Sequence, residues 1–112
     1  MTQYTVCQKV DVAPSTEGRI SLLSVKSAQT FRLKRFYVQC SVGAEFRLGL
    51  ALYSGIRQVC PDEGLVRDDG AGVELMDDTV FPSGDEVSLY YKNEDTAAAH
   101  SAFVMIEGEI ES

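Results

Sequence analysis

Alternation of apolar and polar residues with a period of two is the feature that most constrains this chain. It recurs from one end to the other, and helical periodicity is almost absent. Successive side chains of a strand point to opposite faces, so each alternating run predicts a strand with one buried side. Tyr4, Val6, Val10 and Val12 share one parity in the first run. Pro14-Ser15-Thr16-Glu17-Gly18 reads as a turn. Ile20 and Leu22 follow, and the Leu23/Val25 pair marks a change of face.

Phe31 to Val42 reads as the longest strand. Phe31 and Leu33 lie on one parity; Phe36, Val38, Cys40 and Val42 lie on the other. A switch of phase inside a strand predicts a β-bulge, here near Lys34-Arg35. Val42-Gly43-Ala44-Glu45 reads as a tight connection into Phe46, Leu48, Leu50 and Leu52, so the two strands are expected to be hairpin neighbours. The stretch from Gln58 to Gly72 reads as a long irregular loop with a short strand at Leu65-Val66-Arg67. Val73 and Leu75 begin a further strand. Phe81-Pro82-Ser83-Gly84-Asp85 is a turn, because proline presets φ and glycine supplies a positive one. Val87, Leu89 and Tyr91 alternate again, and Tyr90-Tyr91 puts one ring in the core. Lys92 to Thr96 is a polar loop. Ala97-Ala98-Ala99 fits a helical turn or an edge segment equally well. Ala102, Val104, Ile106 and Ile110 define the last strand.

About eight strands at this spacing predict an all-β fold, an antiparallel β-sandwich of jelly-roll type. With 112 residues, no repeat and no linker, the chain is expected to form one sandwich over residues 18–112, preceded by a strand or arm over residues 1–17. Tyr4, Val6, Val10 and Val12 of that arm have no strand partner close in sequence. They are expected to pair with the sheet edge of a neighbouring subunit.

The formal net charge is −7, which argues against a nucleic-acid partner. The distribution is bipolar. Residues 1–56 hold seven Lys/Arg against three Asp/Glu, and residues 57–112 hold three against fourteen. Arg32, Lys34, Arg35 and Arg47 fall within sixteen residues and form a candidate docking patch. The competing reading of the same residues is edge protection of a sheet. No apolar run approaches the roughly 20 residues that a spanning helix needs, and the N-terminal segment lacks an apolar core of a secretion signal.

Little in the chain supports catalysis or a cofactor. The single histidine, His100, stands beside Ser101 at a strand end and reads as a surface residue; no G-x-S-x-G elbow is present. Cys7, Cys40 and Cys60 are widely spaced without a C-x-x-C, so free thiols and no metal centre are expected, with Cys40 a core residue. Asp68-Asp69-Gly70-Ala71-Gly72 could offer oxygens to Ca²⁺ but lacks the spaced carboxylates of an EF-hand, and reads first as a solvated turn.

Four stretches carry a family resemblance: Thr30-Phe31-Arg32-Leu33-Lys34-Arg35-Phe36-Tyr37-Val38, Glu45 to Tyr53, Val80 to Asn93 with its Gly84-Asp85 turn, and Phe103 to Ile110. Together they resemble the small jelly-roll decoration (cement) proteins of tailed-phage capsids, over about residues 18–111. The resemblance implies a non-enzymatic virion protein that binds the major capsid protein or another virion component, as a homo-oligomer with a trimer favoured. It implies no cofactor and no membrane. The same pattern also resembles receptor- or carbohydrate-binding jelly-roll modules of phage tail fibres and base plates, for which Asp62 to Gly72 would supply the polar loop.

Overall fold

A computed structural model describes residues 2–112. Among the described residues there are ten strands: β1 (Thr2–Val12), β2 (Glu17–Ser24), β3 (Thr30–Cys40), β4 (Leu48–Ser54), β5 (Arg57–Cys60), β6 (Val66–Arg67), β7 (Val73–Met76), β8 (Val80–Phe81), β9 (Glu86–Asn93) and β10 (His100–Glu111). They make two antiparallel sheets. The first runs β1-β10-β3-β7, with β8 also on β3; the second runs β2-β9-β4-β5, with β6 also on β4. β5 and β6 are two pieces of one interrupted edge, and so are β7 and β8. Counted that way there are eight strands, and the chain changes sheet at each step from β1 to β4. This is the jelly-roll order.

The inward parities build the core. Phe31, Leu33, Phe36 and Val38 from β3 meet Leu48, Leu50 and Leu52 from β4, with Val87 and Leu89 from β9 and Val104 and Ile106 from β10. All of these side chains are fully buried. Burial of this kind stabilises by roughly 25 cal/mol per Å² of apolar surface. The expected bulge lies at Lys34. Glu107 of β10 pairs with Arg35 while Gly108 pairs with Leu33, so Lys34 is the extra residue on β3. That extra residue turns Phe31 and Leu33 inward on one parity and Phe36 and Val38 inward on the other.

Four expectations are corrected. First, β3 and β4 are not hairpin neighbours; they lie in opposite sheets. The connection is wider than a turn around Gly43, because Glu45 and Phe46 both take positive φ (52° and 61°) and the strand begins only at Leu48. Second, residues 58–60 are not irregular but belong to β5. Ser54 and Arg57 pair, and Leu52 pairs with Cys60, closing a β4–β5 hairpin. Third, Phe81, read as the first residue of a turn, pairs with Phe31 in the short strand Val80–Phe81. Fourth, the first strand is not a free arm: one of its two edges is paired within its own chain, and the other stays open. Thr2 pairs with Ile110 and Val12 with His100, without a break between. Val10 and Val12 enter the core, Val6 packs against it and Tyr4 stays more exposed.

Candidate docking surface

The bulge decides what the outer face of the first sheet carries. Arg32, Lys34 and Arg35 all point outward there, since Phe31, Leu33 and Phe36 point in. None of the three is free. Arg32 Nη1 and Lys34 Nζ both reach Asp78 Oδ1, at 3.2 and 3.1 Å. These two cations hold the Asp78 carboxyl below the usual range. Arg35 bridges Glu107 at 3.1 Å and Glu74 at 3.7 Å. Arg47 does not join them. It lies on the β3–β4 connection, beside Glu45 at 3.8 Å and Asp95 at 3.6 Å. The four cations expected to form one patch are therefore three on the sheet face and one at the loop end, each matched by acids from the second half of the chain.

Beside those ion pairs runs a surface that alternation alone did not flag. Cys7, Met105, Tyr37 and Glu74 lie opposite one another across β1, β10, β3 and β7, forming one row of the outer face. Phe103 stands in the next row between Lys9 and Gln39. Val42 and Phe103 both line a shallow hollow with Gln39 and Gly70. Phe103 is 48% exposed, Met76 74% and Val42 88%. A signal existed: from Ala102 to Ile106 the chain is apolar at both parities, and a strand apolar on both sides has something on both sides.

The loops at one end of the sandwich are stapled by buried polar groups. Asp68, read from sequence as a solvated turn or a cation ligand, is buried and accepts from the Cys40 and Gly72 N–H groups, each at 3.0 Å. Burial alone would raise its pKa, but the backbone donors outweigh burial and hold it below the usual value. Asp69 accepts from Gly43 N–H at 2.7 Å. Among the described residues no cluster of three or more His, Cys, Asp or Glu could hold a metal. Asn93 donates from Nδ2 to the Val12, Ala13 and Ala98 carbonyls. Asp95 caps Ala97 and Ala98 N–H, which settles 97–99 as a capped loop. His100 is buried, not a surface residue as expected, and pairs with Asp95. Ser101 points to the other face and donates to Asp11, so the neighbouring serine and histidine do not form a nucleophile and base.

A third feature is a groove of about 590 Å³ on the open side, lined by Val59, Cys60, Leu75, Met76, Asp77 and Thr79. It runs between the interrupted edges of the two sheets.

No protein-family model matches the chain, and no curated protein matches it. Solved structures do share its fold. A chain in the capsid structure of the Helicobacter pylori bacteriophage KHP30 superposes with TM-score 0.57 at 10% identity, over 99% of this chain and 92% of that one. A chain of the Sulfolobus turreted icosahedral virus gives 0.59 at 14% identity, over 99% of this chain but 30% of that one. The crystal structure of FlhE gives 0.51 at 12% identity, over 97% and 99%. At such identities the likeness establishes the jelly-roll fold and nothing more.

Proposed function

We propose that this chain is a non-enzymatic structural protein of a virion, and that it binds the assembled shell through the outer face of the β1-β10-β3-β7 sheet. The observation that carries the reading is the apolar strip on that face, where exposed Phe103 and Val42 adjoin half-buried Met105 and Tyr37, with exposed Met76 at its β7 edge. Aromatic residues and methionine are enriched at protein interfaces, and a central apolar strip with a polar margin is interface anatomy. Arg32, Lys34 and Arg35 with their acidic partners form that margin. The fold's recurrence in virus capsid structures supports this choice of partner, a major capsid protein or another shell component. Affinity then comes from the strip, and the charged margin sets orientation and rate of association.

Co-sedimentation with empty capsid shells tests this. The wild-type chain should pellet with shells, and a Phe103→Asp, Met105→Asp double variant with an unchanged circular dichroism spectrum should not. Equal binding by both, or glycan binding without shell binding, overturns the reading.

A further inference from the structure

Sheet edges present unpaired N–H and C=O groups, and proteins that remain single protect them. Three of the four edges here carry such protection. β5/β6 is broken by residues 61–65 and β7/β8 by residues 77–79, leaving pieces of two and four residues. β2 has a register shift between Ser21 and Leu23 and carries Glu17 and Arg19 outward. The fourth edge, β1, has neither a break nor a shift of register. It is eleven residues long, contains no proline, and pairs with β10 from Thr2 to Val12 without one shift of register. Its only charges are Lys9 and Asp11, which already lie 3.7 Å apart.

We infer that the outer edge of β1 pairs antiparallel with β1 of a second copy, about a two-fold axis through Cys7. Cys7 is the central residue of the strand, so this is the register that overlaps all eleven residues. It sets Cys7 against Cys7, Thr5 against Lys9, Gln3 against Asp11 and Tyr4 against Val10. Odd residues meet odd and even meet even, so both copies keep the same side toward the core. No like charges stand directly opposite. Each Lys9 enters the partner's row that holds Thr5 and Glu107, a cation joining an anion across one small side chain, while each Asp11 enters the row of Gln3 and Glu109 with the longer amide side chain between the two acids. The rows of Cys7, Met105 and Tyr37 become one apolar band across the axis. An antiparallel edge pair is isologous and closes at two subunits. The pairing therefore builds a dimer, where the family resemblance implies a trimer, and it does not depend on what the shell partner is.

The experiment reads register as well as mass. Under reductant, the wild type and Cys7→Ser should both sediment as dimers. Cys7→Lys puts two like charges on the axis and should sediment as a monomer with an unchanged circular dichroism spectrum. Directly opposed residues have Cα atoms about 4.5–5.5 Å apart, within disulfide reach. Diamide should therefore convert the wild type to a covalent dimer and leave Cys7→Ser uncrosslinked. In the Cys7→Ser background, Thr5→Cys mixed with Lys9→Cys should crosslink, and Thr5→Cys alone should not. A monomeric wild type at high concentration, a dimeric Cys7→Lys, or self-crosslinking of Thr5→Cys each overturns the inference. A monomer that still pellets with shells would overturn the pairing alone.

Discussion

His100 Nε2 lies 2.8 Å from Asp95 Oδ2, and this pair ties the start of β10 to the loop that leads into it. The same carboxylate accepts from Ala97 and Ala98 and faces Arg47. One side chain thus holds the 94–99 loop in shape, while the Asp95 carbonyl accepts from Ser15 N–H in the β1–β2 connection.

That arrangement sets the acid stability of the fold. The Ala97 N–H, then His100, with Ala98 and Arg47, hold the Asp95 carboxyl down at about 2. A depressed folded-state pKa contributes stability above the unfolded pKa, near 3.9, and loses it as pH falls through the folded value. Thermal melts should therefore fall between pH 4 and pH 2. Asp95→Asn should melt earlier than wild type at pH 7 and show a shallower fall over that window. Identical acid limbs for the two proteins would remove Asp95 from the account.

The buried thiols predict the opposite limb. Burial, with Asp68 near Cys40 and Asp77 near Cys60, pushes the two thiols up to about 11 and about 12. A thiol whose pKa is raised in the fold supports the fold below the unfolded pKa of about 8.5, and that support is lost as pH rises past it. Stability should decline above pH 9, less so in Cys40→Ala. A thiol reagent at pH 8 should label one cysteine, Cys7, in the native protein and three after unfolding.

Gly108 stands at the bulge, where an added Cβ would come within 2.2 Å of the Arg32 carbonyl oxygen and 2.8 Å of the Phe31 ring. Backbone cannot yield as a flexible side chain can. Gly108→Ala should cost about 1–3 kcal/mol by overpacking. Urea unfolding measures it, and a change below about 0.5 kcal/mol would show that the two strands separate freely there.

Arg35 spans two acids from a half-exposed position, yet its Nε is buried without a hydrogen-bond partner. Surface pairs contribute about 0–1 kcal/mol each, and the orphaned donor offsets part of that. Arg35→Met should stay within about 1 kcal/mol of wild type in urea unfolding. Charge matters more for docking, so Arg32→Glu with Lys34→Glu should slow shell association at low salt and have less effect at high salt.

The strands were readable because each buried face is short-range information, carried by residues two apart. Lys34 shows how far that reaches: a parity switch between Leu33 and Phe36 located the bulge within one residue. Pairing is not short-range. Nothing near Tyr4 announces a partner about a hundred residues away, so β1 looked free. Gly43 sits between two strong strands, which is how a hairpin looks; that the chain crosses to the other sheet depends on the backbone at Glu45 and Phe46. Phe103 and Met105 were hidden because an alternating pattern is read for its inward face, and the proposed docking surface lies on the outward one. His100 was misjudged because its partner, Asp95, is supplied by a loop whose shape residue types alone do not specify.

The interruptions at residues 61–65 and 77–79 flank the same groove but are held differently: Asp77 N–H donates to the Lys34 carbonyl and the Thr79 carbonyl accepts from Leu33 N–H, whereas residues 61–65 pair with no strand. Residues 61–65 can therefore lengthen or change composition while every strand register stays in place, and residues 77–79 cannot. The molecule thus separates frame from novelty: the paired strands and the 77–79 segment hold the frame, and one tolerant gap beside the cleft is where new contacts can be added.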